Sequence, residues 1–384
     1  MQKKHLVFAA AVLLCAAVIF SAGCVDNGSS GAKVEILYAG VGNMPQLLES
    51  GAVDAAIAWQ PFVAVMEEGQ IGKVVSYSED LPPNGKWEGH TCCVFGANSY
   101  ALANPEKASV LIADWLFASQ DLTYGGVTVN SVDVMKASIP TIAFSTEVTD
   151  AWIKSNEDFV QSQRDLGLVT GKLAKTNSEE TQALLFDFTA YDAAQEILES
   201  GKFLDPKTSV KEISIGYLAS DHDGPLFVLL KDWQFFKENY NAYLKPVTEK
   251  VGKIDKAELY VNGKKVCDVK LIEGSAGPQL MTLLQQNQIQ YAVAGTPPFV
   301  SAVDKSTSAV DIKILAPIMM NGSGLVVSED SPADNWAEFV AWIKERSAEG
   351  KNVVIADPQL GSIQDVQLKA ALDSAGIGYT TKSA

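Results

Sequence analysis

From residue 34 to the C-terminus, short apolar runs of strand length alternate with stretches of helical period. That alternation confines the chain to the α/β class, with sheets covered by helices. Strands are expected at 34–38, 55–59, 73–77, 91–96, 213–217, 291–294, 312–316, 324–327 and 353–356. Helices are expected at 44–50, 105–118, 149–166, 179–198, 225–239, 278–286 and 337–346, the second with Asn104 as N-cap and Pro105 in its first turn. Asn262-Gly263 between the apolar runs 259–261 and 265–269 signals a hairpin.

The 384 residues suffice for two domains of roughly 150 residues each. A net charge of −16 argues against a nucleic-acid partner, which demands a basic stripe. It leaves room for a small anion held by helix N-termini. No P-loop, G-x-S-x-G, H-E-x-x-H or contextual G-x-G-x-x-G is present.

The first residues read as a targeting segment. Lys3, Lys4 and His5 precede the apolar stretch 6–20, then Ser21-Ala22-Gly23-Cys24, the pattern of an export signal rather than a spanning helix. Ala22-Gly23-Cys24 resembles a lipobox, which makes Cys24 the expected lipid-bearing residue. Ser21 stands where that pattern usually has Leu, so an uncleaved membrane anchor stays open. Residues 26–31 form a polar tether. Beyond the signal, Cys92, Cys93 and Cys267 remain. Export permits disulfides, and adjacent cysteines rarely bridge each other, so a bridge from Cys92 or Cys93 to Cys267 is one expectation.

Ligands of open α/β sheets bind beyond the C-terminal strand ends. Six loops qualify: 219–223, 274–276, 296–297, 321–323, 361–364 and 59–60. Gly, Ser and Thr there let backbone N–H groups approach an oxyanion. Each loop alone reads better as a turn or helix cap. Their recurrence after successive strands favours binding. An internal echo accompanies them: Met44-Pro45-Gln46-Leu47 leads to strand 55–59 and Pro61-Phe62-Val63, and Gly277-Pro278-Gln279-Leu280 leads to strand 291–294 and Pro298-Phe299-Val300. Two similarly built lobes, or chance likeness between βαβ units, would produce it.

The last strand-loop-helix, 351–376, reads as if it continues into 34–62. With 210–384 placed before 34–205, the segments GYLASDHDGPLFVL, VAGTPPFVSAV, LAPIMMNGSGLVV, ADPQLGSIQD and AAIAWQPF fall in series. That series resembles the solute-binding proteins of the nitrate/sulfonate/taurine type, which feed ABC importers. The resemblance implies a two-lobed α/β fold of the type II periplasmic-binding-protein kind, circularly permuted. Residues 1–23 would be the signal peptide and 24–33 the tether. Residues 34–90 and 331–384 would form lobe II, and 91–330 a continuous lobe I. Carried over, the ligand residues would be Ser220, Asp221, His222, Thr296, Asn321 and Ser323 from one lobe and Gly361, Ser362, Gln364, Trp59 and Gln60 from the other. Many relatives have Glu where Gln60 stands, which counts against a cationic ligand.

His90-Thr91-Cys92-Cys93 would then be a hinge crossing, with His90 or Thr91 facing the cleft and the cysteines packing as small hydrophobes. A thiol nucleophile or a metal site is the sharper alternative, but the C-x-x-C spacing is missing and no metal is expected. The implied function is capture of a small, anionic organic or inorganic solute at the outer face of the cytoplasmic membrane, without enzymatic chemistry or cofactor. The partners would be an ABC permease and the membrane, through the lipid on Cys24. A surface sensor without a permease, an enzyme of the pyrimidine-synthase branch using His222 or His90 with Cys92, and a fragment of a tandem array stay open.

Overall fold

The computed structural model describes residues 31–103, 131–203, 210–250 and 253–383. The signal, Cys24, the helix expected at 105–118 and the connector 204–209 lie outside the described residues. The strands are β1 (Lys33–Tyr38), β2 (Ala55–Trp59), β3 (Gly72–Tyr77), β4 (Cys93–Asn98), β5 (Ile142–Phe144), β6 (Glu212–Leu218), β7 (Ala242–Lys250), β8 (Lys253–Val261), β9 (Lys264–Gly274), β10 (Tyr291–Gly295), β11 (Ile312–Pro317), β12 (Met319–Asn321), β13 (Ser323–Ser328), β14 (Val353–Asp357) and β15 (Gly378–Ser383). They form a six-stranded sheet, β15-β1-β14-β2-β13-β3, and a seven-stranded sheet, β11-β4-β10-β6-β9-β8-β7. β5 and β12 make a separate antiparallel pair. The result is a two-lobed periplasmic-binding-like α/β fold.

The two sheets share a core pattern. Along β3-β13-β2-β14-β1 the pairings are antiparallel, antiparallel, parallel, parallel. Along β11-β4-β10-β6-β9 they run in the same order. β2 and β10 occupy equivalent places, and each leads into a helix bearing Pro-Phe-Val (Phe62–Glu68 and Thr296–Lys305). The internal echo is therefore a structural repeat. Every residue of β2 and β10 is buried, as expected for strands covered on both faces.

The chain passes between sheets twice, before β4 and before β13. The passages lie side by side: Thr91 bridges Met320, Cys92 N–H donates to Met319 O at 3.1 Å, and Asn321 N–H donates to His90 O at 3.2 Å. The return passage falls at 318–322, not at 330. β13 pairs with β2 and β3 and so belongs to the six-stranded sheet.

The chain ends meet in that sheet. β1 lies between β14 and β15, parallel to both. Lys369, on the helix Ile363–Ser374, makes a 2.7 Å ion pair with Asp365, both side chains nearly or wholly buried. Tyr38 of β1 donates to Asp365 at 2.8 Å and accepts from Lys369 at 2.9 Å, and Gly361 N–H donates to the second Asp365 oxygen at 2.8 Å. Beside them, burial and then the Asp365 charge push the Asp357 carboxyl well above its ordinary value.

Three local expectations change. Residues 179–198 form two helices, Ser178–Leu185 and Thr189–Ser200. The break comes where Phe186 bridges Ile314 and Asp187 N–H donates to Ile314 O, a tertiary pull that no local period announces. Residues 225–239 divide at Asp232 into Gly224–Lys231 and Trp233–Asn239. Residues 296–297 open a helix, with prolines where N–H donors would have no partner anyway. The Asn262-Gly263 turn has φ of 50° and 74°, the backbone that a two-residue hairpin demands. Among the described residues, no helix is long and apolar enough to cross a membrane. Cys92, Cys93 and Cys267 are in no disulfide, so the expected bridge to Cys267 is not formed.

Candidate functional site

Three helices begin against the two passages. The loop Asp221–Asp223 precedes the helix Gly224–Lys231, Thr296 begins its own helix, and Gln364 lies in the first turn of Ile363–Ser374. His222 Nε2 donates to Gly322 O at 2.9 Å, the Thr296 and Thr91 hydroxyls lie 3.2 Å apart, and Gln364 Nε2 donates to Ser323 Oγ at 2.8 Å. Helix N-termini from both lobes thus converge on residues 90–93 and 319–323. Their dipoles favour an oxyanion or carbonyl there, while Pro225, Pro297 and Pro298 carry no N–H and the Gly224 and Thr296 N–H groups are already bonded to Asp221 O and Cys92 O.

The expected ligand residues divide by what their polar atoms already do. Ser220 and Ser362 accept backbone N–H groups from His222 and Asp365 at 3.1 Å each and act as caps. Gln60 accepts from Ala64 N–H and donates to the Thr141 hydroxyl, both at 3.1 Å, which orients its amide. His90 donates from Nδ1 to Thr91 O and accepts from Ser78 Oγ, both at 2.9 Å. Burial drives its pKa down to about 4, against the Thr91 carbonyl. This ring is neutral and fully bonded. Gly361 lines a groove of about 250 Å³ with Pro278, Met281, Pro298 and Leu360.

Others have a polar atom with no partner at all: Trp59 Nε1, Asn321 Oδ1 and Asp221 Oδ1 are buried with no hydrogen-bond partner among the described residues. Such atoms are uncommon, because an unpaired buried polar group costs about 1–3 kcal/mol. Asn321 has φ of 62°, so it is held in a left-handed backbone at the second passage. Asp221 Oδ2 takes the Ser138 hydroxyl, and burial raises its carboxyl despite that bond and the nearby His222. Burial pushes Asp223 up to about 8, although Leu218 N–H donates to it at 2.6 Å.

Sequence reasoning missed the segment 131–144. Its helix Val132–Ser138 packs on the helix Phe62–Glu68, and Ser138 and Thr141 touch Asp221 and Gln60. Nothing local marks these residues, which come to the site only through tertiary placement. Asn156, whose Oδ1 accepts from the Thr296 hydroxyl at 3.3 Å, was hidden in a helical period.

An uncharacterized protein of Methanocaldococcus jannaschii is 32% identical over 114 residues, 29% of this chain and 76% of its own length. No solved structure matches. The NMT1-like family matches residues 18–133 and 206–382, most of the chain, and groups binding proteins of the nitrate/sulfonate/taurine type. The chain belongs to the NMT1-like family.

Proposed function

We propose that this protein is an exported, lipid-anchored receptor that captures a small organic or inorganic solute between its lobes for an ABC importer. The observation that carries the reading is the convergence of three helix N-termini from both sheets on the paired passages. Their dipoles favour an anionic or carbonyl end, and Trp59 Nε1 offers a donor for it. Asn321 Oδ1 and Asp221 Oδ1 are acceptors for an N–H or O–H group at the other end, and a protonated Asp221 would instead donate. A small solute with an oxyanion or carbonyl at one end and a donor at the other suits this set best. Closure around it would be a hinge motion about the two passages, driven by tighter binding to the closed state.

The function belongs to binding rather than turnover. Residues 33–90 and 323–383 would form the tethered lobe and 91–322 the other. The adjacency of β1 and β14 supports a permuted order in which the ancestral ends met between residues 203 and 210. A chain reopened there, with 383 joined to 33 by a flexible linker of about eight residues, should fold and keep its ligand. An unfolded product would sink the permutation.

A thermal-shift screen tests the receptor reading. Nitrate, taurine, alkylsulfonates, bicarbonate and pyrimidines are the panel. A true ligand at 100 times its Kd stabilises by about 2.7 kcal/mol and raises Tm by a few degrees. No shift from any of them at millimolar concentration would remove this solute class. Mass spectrometry of the membrane-extracted protein tests the anchor through lipid on Cys24.

A further inference from the structure

Behind the paired passages, two thiols and an imidazole meet. Cys92 Sγ and Cys93 Sγ lie 3.5 and 3.6 Å from His222 Nδ1, and their donor atoms all fall within 4.8 Å of one another. All three side chains are at most 3% exposed. Adjacent strand residues ordinarily point to opposite faces. Here β4 begins at Cys93, and Cys92 still belongs to the passage bonded to Met319 O, so both sulfurs reach one ring.

The ring is oriented for donation. A carbonyl can only accept, so the bond to Gly322 O fixes the proton on Nε2 and leaves the Nδ1 lone pair facing the sulfurs. This is the outer bond that metal-ligating histidines make. Residue 322 has φ of 83°, and a Cβ there would sit 2.8 Å from His222 Nε2, so glycine permits the approach. A third sulfur is close: Met319 Sδ accepts from Cys93 N–H at 3.4 Å. The two carboxylates flanking His222, Asp221 and Asp223, are each held through one oxygen, by the Ser138 hydroxyl and by Leu218 N–H.

We propose that Cys92, Cys93 and His222 form a binding site for one thiophilic d10 cation, Zn(II) or Cu(I), with Met319 beside it. The spacing fits. Metal–sulfur and metal–nitrogen bonds of about 2.3 and 2.0 Å at a tetrahedral angle place S and N about 3.6 Å apart. Two sulfurs and an imidazole select soft ions over Mg(II) or Ca(II), which require oxygen shells. Binding would displace the thiol protons and tie the first passage to the loop after β6. The site is independent of the solute reading, and either can fail alone.

The test uses the reduced, anaerobic, full-length protein with Zn(II) and Cu(I) in separate arms, each competed against a chromophoric chelator. One equivalent should be retained in one arm. The C92S/C93S variant should bind at least 100-fold more weakly, and Cys267→Ser should bind as wild type. X-ray absorption on the loaded wild type guards against misfolded variants. It should show two sulfurs near 2.3 Å and a nitrogen near 2.0 Å. Failure to retain either ion, unchanged affinity in C92S/C93S, or a shell of nitrogen and oxygen alone would overturn the site.

Discussion

Two regions bury polar groups at similar depth and satisfy them to different degrees, although Asp357 Oδ2 in the first also lacks a partner among the described residues. At the meeting of the chain ends, Tyr38, Asp365 and Lys369 form a closed circuit in which the ion pair is bonded on several sides. At the passages between lobes, Trp59, Asn321 and Asp221 each keep an unused polar atom, and His222 presents a bare nitrogen to two thiols. Completed polar networks rigidify a fold, whereas incomplete ones are stable only when something else compensates. The first region secures the architecture, and the second is where binding is expected.

The sharpest way to break the first side is Lys369→Met. It leaves the Asp365 carboxylate at 0% exposure without its cation. Removing one partner of a buried pair costs about 3–5 kcal/mol, which urea denaturation would read as a lower midpoint. A loss under 1 kcal/mol would show that the pair does not hold the chain ends.

On the passage side, Gly322→Ala should cost about 2–4 kcal/mol, through backbone strain at positive φ and a Cβ pressed against His222 and Ile142. Because the ring must then move, the His222 contacts to both thiols should be disturbed, visible in the imidazole NMR signals. Gly51→Ala, at φ of 69° with open space around it, carries only the strain and should cost less. Equal losses would remove the packing part of the argument.

These two regions also differed in how readable they were. The strand and helix order, the Asn262-Gly263 hairpin and the pairing of 34–38 with 353–356 were legible, because period, turn chemistry and family order act locally or in series. Which loop residues stay available was not. Ser220, Ser362 and Gln60 read as ligand contacts, and each also makes a cap or packing bond that local sequence does not announce. The convergence of Cys92 and Cys93 on one ring was likewise hidden, since strand alternation predicts opposite faces. The return passage was placed eight residues late because 323–328 has the same apolar pattern in either sheet.

Titration separates two neutral groups of the passage region. Asp223 keeps its proton in the fold up to about pH 8, while the unfolded chain releases it near 4. The native state then binds the extra proton, so this group's stabilisation is full below pH 4 and is lost as pH rises toward 8. His90 runs the other way. Its folded pKa of about 4 lies below the unfolded value of about 6.5, so its contribution falls as pH drops through that window. Asp223→Asn keeps an acceptor for Leu218 N–H and removes the titration. The wild type should lose stability relative to this variant by up to about 1.4 kcal/mol per pH unit between pH 4 and 8. A flat difference would mean that Asp223 is ionised in the fold.

The smallest effect on stability should come from the residue with the most direct claim on a ligand. Trp59 packs edge-on to Phe62 with centroids 6.4 Å apart, and its Nε1 has no partner among the described residues. Trp59→Phe forfeits some packing area but also removes an unpaired buried donor, whose burden is about 1–3 kcal/mol. The two contributions oppose each other, so folding stability should change by less than about 1 kcal/mol. Affinity for the solute selected by the thermal-shift screen should nevertheless fall about tenfold, equivalent to one hydrogen bond of about 1.4 kcal/mol. Calorimetric titration and urea denaturation of the same sample would separate the two. A variant that loses several kcal/mol of stability and keeps its affinity would make Trp59 a core residue. Its unpaired nitrogen would then carry no information about the cleft.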